Sequence, residues 1–279
     1  MSSQVSQRAS LGSLLESIWR HRQLIGQMTK REVVGRYRGS ALGLAWSFLN
    51  PLMMLSVYTF VFSFVFKSRW GNASAAANDS HAMFAIMLFV GLIVHGLFAE
   101  VINRSPALVI GNVNFVKKVI FPIEILPVIS MGAALFHSAI STFVLMTAYI
   151  AFLGVPHWTA ILLPLVLLPL ITLTLGLSWF LASIGVFLRD VGQTMAIFTT
   201  VLLFMSPVFF PLSALPEKFQ PFIMANPLTF IIEQSRAVLI EGKLPDFMGL
   251  AVYLLVAIVI AWAGYGWFQK TRKGFADVL

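Results

Sequence analysis

The sequence contains no cysteine, which excludes disulfides, thiolate metal sites and cysteine nucleophiles. Charge is nearly as scarce: Asp, Glu, Lys and Arg make up 11% of the 279 residues, against about 25% in a soluble domain whose surface must be wetted. Hydrophobic residues reach 58% and the mean hydropathy is +0.87, so lipid has to be the solvent for most of the chain. Neither a GxxxxGK[ST] phosphate loop nor an HExxH helix is present; Gly242-Lys243 stands alone, followed by Leu244 and Pro245. His21, His81, His95, His137 and His157 are scattered singly, and no Ser/His/Asp grouping stands out. No catalytic residue, no metal site and no cofactor held by the chain itself are expected.

The formal net charge of +8 invites a nucleic-acid reading, but the cations sit at the ends of apolar runs, where orientation signals belong. An all-α membrane fold is expected. Crossing a hydrocarbon core of about 30 Å takes about 20 helical residues, and six segments qualify, near 41–66, 82–102, 120–153, 160–188, 191–210 and 247–268. Pro122, Pro127, Pro164 and Pro169 predict kinks or interfacial extensions in the third and fourth. With the N-terminus inside, fourteen lysines and arginines fall on the cytoplasmic side and five (Lys67, Arg69, Lys218, Arg236, Lys243) outside. Both termini are therefore expected in the cytoplasm. Residues 1–40 are polar and basic, so no cleavable signal is expected.

The first of two regions is this N-terminal segment, 1–40; the second is the membrane region, 41–279. Within 11–29, Leu11, Leu14, Leu15, Ile18, Trp19, Ile25 and Met28 recur at helical spacing, which predicts one amphipathic helix in the inner interface. Residues 207–246 are rich in proline yet apolar. Asn226-Pro227 is a strong helix start, an N-cap side chain followed by proline at the first helical position. A helix over 227–240 rises roughly 21 Å at 1.5 Å per residue, too short to cross. Short re-entrant helices on the outer face are expected.

Ionised groups inside the spans are costly and usually have a task. Only Glu100 and Glu124 occur there, near the inner ends of spans two and three. Ion-coupled transporters place such groups at the midplane, so motive force is expected from outside this chain. Glu100 and Arg104, one turn apart, are expected to pair. Glu124 reads as an interfacial anchor. The loop from Asn103 to Lys118 carries Leu108, Val109, Ile110, Val113, Phe115 and Val116 on the water side, which favours a short helix that docks on a partner, although a simple connector explains its length equally well.

Several motifs then align in order. Lys30-Arg31-Glu32, Arg36-Tyr37-Arg38-Gly39-Ser40, Leu42-Gly43-Leu44-Ala45-Trp46 and Asn50-Pro51-Leu52 resemble the approach to span one in ABC-2 type permeases, in particular the branch that exports O-antigen, capsule or teichoic acid polymers. Lys117-Lys118-Val119-Ile120-Phe121-Pro122, Glu124-Ile125-Leu126-Pro127, Phe187-Leu188-Arg189-Asp190-Val191, Ser206-Pro207-Val208 and Asn226-Pro227-Leu228 with Arg236 continue the series. The resemblance implies a homodimer of six-span subunits in a bacterial inner membrane, each docked on a separate ABC ATPase that holds ATP and magnesium. The cargo it implies is a polymer on an undecaprenyl diphosphate carrier; a lipid or small lipophilic cargo, or a membrane enzyme or scaffold, is the alternative. Arg104, Asn112, Asn114, Lys117 and Lys118 would face the ATPase from a coupling helix at 103–118. Asn226, Pro227 and Arg236 would belong to outer gate helices over 207–246.

Two further readings come from the residues. Lys30, Arg31, Arg36 and Arg38 cluster at the inner headgroup level, where several cations suit a diphosphate, although ordinary inner flanking also predicts cations there. Phe60 and Phe64, an i,i+4 pair among 25 phenylalanines, are candidates to line a polymer channel, with lipid contact or helix packing the plainer reading.

Overall fold

The computed structural model describes residues 11–61, 77–117 and 121–279, and all regular structure among them is helical. In chain order the helices are α1 (Leu11–Arg20), α2 (Arg22–Arg36), α3 (Trp46–Thr59), α4 (Ala77–Arg104), α5 (Val113–Lys117), α6 (Leu126–Leu153), α7 (Leu163–Phe187), α8 (Val191–Phe204), α9 (Gln220–Met224), α10 (Pro227–Arg236), α11 (Phe247–Thr271) and α12 (Phe275–Val278). Four helical stretches are long and apolar enough to cross a membrane: Ala82–Ala107, Ile123–Leu153, Trp158–Phe187 and Phe247–Gly274. They coincide with the expected second, third, fourth and sixth spans.

The expected fifth span is shorter here, and the first begins later than expected and is described only to residue 61. Helices α3 and α8 have 14 residues each, a rise of about 21 Å. Helix α3 begins at Trp46 rather than near Ala41 because Gly39 and Gly43 take φ of 85° and 49°, a left-handed backbone that stops helix growth. The outer part of that span, with Phe64, lies outside the described residues. Of the four prolines expected to mark kinks or interfacial extensions, three sit at helix starts: Pro122 precedes a 3-10 turn, and Pro127 and Pro164 occupy the first turns of α6 and α7. Only Pro169 is inside its helix.

The amphipathic segment is two helices, not one. It breaks at His21, and α2 continues to Arg36. Leu14 and Ser17 of α1 are buried against the bundle, while Leu15 and Trp19, expected on the same apolar stripe as Leu14, are exposed. Helix α2 docks on α6, where Gly132 lets Thr29 approach so closely that a Cβ would lie 2.9 Å from its Oγ1.

A larger apolar core runs through α4, α6, α7 and α10, with Val90, Val101, Ala134, Leu170 and Ile231 almost wholly buried. A second core at the basic end gathers Leu14, Leu108, Val109, Ile125, Trp179, Tyr265, Phe268 and Phe275. Leu108 and Val109 therefore turn inward, a correction to the exposed apolar face expected for the 103–118 loop; the core below offers them more buried area than water does. At the centre of this core Glu124, 3% exposed, accepts from Ser17 Oγ (3.2 Å) and from Arg272 Nη1 (2.9 Å). Its carbonyl oxygen accepts from Trp179 Nε1 at 2.9 Å. The anchor role expected of Glu124 is what the contacts describe: it ties α1 and the C-terminal turn to α7.

Without water to drive helices together, membrane helices associate where small residues let backbones meet. Helices α7 and α11 do so at Gly176, Ala261 and Gly264; a Cβ on Gly264 would lie 2.1 Å from the Gly176 oxygen. Gly264→Ala should destabilise the protein by about 1–3 kcal/mol, as overpacking does, seen as a lower melting midpoint in detergent. Gly266→Ala, whose Cβ meets nothing within 4 Å, should leave the midpoint unchanged or raise it by up to about 1 kcal/mol of helix propensity.

Candidate functional site

A Glu-x3-Arg spacing occurs three times: Glu16–Arg20 pairs within α1, whereas Glu32-Val-Val-Gly-Arg36 on α2 and Glu100-Val-Ile-Asn-Arg104 on α4 come together in space. Four-residue spacing puts each acid and base on one helix face. The two turns pass each other in opposite directions, so each glutamate meets the other helix's arginine. Arg104 Nη2 pairs with Glu32 Oε1, and Arg36 Nη2 donates to Glu100 Oε1 at 2.6 Å. The pairing expected within α4, Glu100 with Arg104, is thus replaced by two pairs across helices. Local i,i+4 pairs contribute only about 0.3–0.5 kcal/mol, too little to hold Arg104 back from a half-buried partner acid. Burial pushes the Glu32 carboxyl above its ordinary value, opposed by the charges of Arg104 and Arg36.

Helix α6 adds His137. Its Nδ1 lies 3.0 and 3.2 Å from the two Glu100 oxygens and 3.0 Å from Arg36 Nη1. One ring nitrogen cannot donate to Glu100 and accept from Arg36 at once. With the proton on Nδ1 it serves Glu100, and Nη1 of Arg36 is left over. His137 Nε2 is buried without a partner. Tyr37 stands edge-on to the imidazole at 6.1 Å.

Arg36, Tyr37, Glu100 and His137 line a cavity of about 280 Å³ between α3, α4 and α6. Asn50 and Tyr58 line it from α3, Gly96 and Glu100 from α4, and His137 and Ser138 from α6. Arg36, with 39% of its side chain exposed, stands at the mouth. Polar groups facing a cavity among membrane helices are unusual enough to mark a site.

The expected site residues are distributed as follows. Lys30, Arg31 and Arg38 are exposed on and just beyond α2, and have no ion pair among the described residues; Arg36 is engaged by Glu100. Arg104 is engaged by Glu32, so it faces α2 and not a partner's surface. Asn112 Nδ2 donates to the Leu108 oxygen at 2.8 Å, Asn114 is exposed, Lys117 ends α5, and Lys118 lies outside the described residues. The loop's root is held by Ser105 Oγ, which donates to Ser178 Oγ at 2.6 Å, and by Pro106, whose oxygen would lie 2.1 Å from a Cβ on Gly185. Phe60 is 61% exposed at the far end of α3.

Asn226 and Arg236 form a buried structural knot at the two ends of α10, which half-buried Pro227 opens. Asn226 caps α10 by accepting from Leu228 N at 2.9 Å, and its Nδ2 donates to Met205 O and Ser206 Oγ. Arg236, 1% exposed, donates to Met87 O (3.0 Å), Val208 O (3.3 Å) and Glu233 Oε1 (2.8 Å), which pins α10 to α4. The helix opens where Asn226-Pro227 predicts it and ends in a π turn over Ala237–Glu241 and a left-handed Gly242. His137 and the Glu32–Arg104 pair escaped the sequence reading; the repeated Glu-x3-Arg spacing was the signal available.

The sequence profile of the ABC-2 type transporter family matches residues 23–240. The O-antigen export system permease protein RfbA of Myxococcus xanthus is 29% identical over 266 residues, 95% of this chain and 98% of that one. Its counterpart from Klebsiella pneumoniae is 24% identical over 257 residues, 92% and 95% of the two chains. The polysialic acid transport protein KpsM of Escherichia coli is 23% identical over 249 residues, 87% and 91%. The matched region takes in the Glu-x3-Arg turns of α2 and α4, the cavity and the Asn226–Arg236 knot. The chain belongs to the ABC-2 type transporter family.

Proposed function

We propose that this chain is the permease subunit of an ATP-driven exporter that moves lipid-linked polysaccharide, O-antigen-like and carried on undecaprenyl diphosphate, across a bacterial inner membrane. The observation that carries the reading is similarity along nearly the whole chain to permeases named for O-antigen export. In this reading α3 and α8, with the residues beyond them, complete six spans, both termini are cytoplasmic, and α9 and α10 are re-entrant helices at the outer face. Two copies enclose the path, and a separate ABC ATPase with its ATP and magnesium drives it.

Charge placement supports borrowed energy. Glu100 and Glu124 lie near helix ends and are answered by Arg36, His137 and Arg272, so neither is an open midplane carboxylate of the kind that ion coupling uses. The rigid root of the 103–118 loop supports its coupling role. A push on α5 from a partner reaches α7 through Ser105–Ser178 and Pro106–Gly185 with little slack. Lys30, Arg31 and Arg38, exposed beside Arg36, present three cations to a headgroup diphosphate.

Replacing Lys30, Arg31 and Arg38 together with glutamine should lower export at least tenfold, since each cation near a membrane surface contributes about 1 kcal/mol. The melting midpoint should stay put. Arg36→Gln should lower both export and midpoint, because Glu100 loses its cation. Wild-type export from the triple variant would remove the basic cluster from the account. ATP hydrolysis by the co-purified complex should rise on addition of lipid-linked glycan. Asn114→Trp should blunt that rise without changing the melting midpoint; hydrolysis indifferent to the glycan would contradict the reading.

A further inference from the structure

We infer that the α3–α4–α6 cavity is a recognition site for the single sugar ring attached to the carrier's phosphate, with Glu100, Ser138 and Asn50 as its hydrogen-bonding groups. The inference rests on the proposed function and extends it from the headgroup phosphate to the sugar. Several observations converge. The cavity, about 280 Å³, is at the small end of ligand pockets, roughly 300 Å³ upward. That is room for one pyranose ring and not for a chain. Its walls alternate apolar faces (Phe89, Leu97) with hydroxyl and amide groups, the amphipathic lining that a sugar ring needs.

The polar groups have capacity to spare. An ionised carboxylate offers about four lone-pair sites. Glu100 Oε1 takes Arg36 and His137, whereas Oε2 has only the longer His137 contact at 3.2 Å. Oε2 is thus available to a sugar hydroxyl. Ser138 and Asn50 line the cavity with no side-chain hydrogen bond among the described residues. Gly96 leaves the middle of the α4 wall open, since a Cβ there meets nothing within 4 Å. Arg36 joins the two parts: it lines the cavity, holds Glu100 through Nη2 and meets His137 through Nη1, and with 39% of its side chain exposed it is open to a phosphate on the same sugar. A phosphate outside and its sugar inside would therefore be read by one ion pair.

The test compares binding of two probes to the purified full-length protein by thermal shift: undecaprenyl diphosphate alone, and the same lipid carrying one hexose. The sugar-bearing lipid should bind about tenfold tighter, the gain that a sugar hydroxyl on a charged acceptor supplies. Gly96→Leu, which adds a side chain to the cavity wall at a position where a Cβ meets nothing within 4 Å, should erase that increment while binding of the bare lipid persists. Gly192→Leu, on α8 in open space, should keep it. The same Gly96-dependent gain for hexose 1-phosphate over inorganic phosphate would support the site with a free sugar phosphate as a sufficient ligand. Equal binding of both lipids, or an increment that survives Gly96→Leu, would overturn the inference and leave the export reading intact. Binding of neither lipid would overturn both.

Discussion

A carboxylate at the edge of a lipid phase is stable only with a cation beside it, and here that requirement sets the geometry of the basic end. Glu32 and Glu100 each sit four residues before an arginine, and the antiparallel passage of α2 and α4 gives each acid the other helix's base. This crossed arrangement ties the N-terminal segment to a membrane-spanning helix, and His137 extends the tie to α6. It also decides which cations remain outward. Arg36 and Arg104 are held, whereas Lys30, Arg31 and Arg38 face away. The Arg36–Glu100 pair lines the cavity, so the same bond that docks α2 helps to form the candidate site.

The rest of the fold keeps that geometry fixed by two devices suited to lipid. One is close backbone approach at glycine: Gly176 with Gly264 joins α7 to α11, Gly185 seats Pro106, and Gly132 admits Thr29. The other is the buried polar knot whose members satisfy one another. Glu124 with Ser17, Trp179 and Arg272 locks the basic end; Asn226 and Arg236 lock the other. Between them the bundle is apolar, and the 103–118 loop hangs from α7 by a short, stiff connection.

Local chemistry was readable in the sequence, and tertiary choice was not. The start of α10 follows from Asn226-Pro227 alone, because a cap and a proline act within one turn. The four long spans follow from length and apolarity. The break at His21 did not, since the apolar spacing continues across it while α2 turns to dock on α6. The partner of Arg104 was misassigned for a related reason: spacing identifies every neighbour on the same helix and none on another. Leu108 and Val109 were apolar residues in a loop, and only the fold reveals the second core beneath them. The cavity was invisible for the same reason, being built from three helices distant in sequence, although Asn50, Tyr58 and Ser138 are individually unremarkable.

The central claim is that α2 is held to α4 by crossed charges. A double-mutant cycle on Glu32→Arg and Arg104→Glu, read as unfolding free energy in a lipid-like medium, tests it most directly. Each single reversal sets like charges against each other and should destabilise the protein, while the double reversal should recover most of the loss, with a coupling of about 1 kcal/mol or more. Losses that simply add would contradict it.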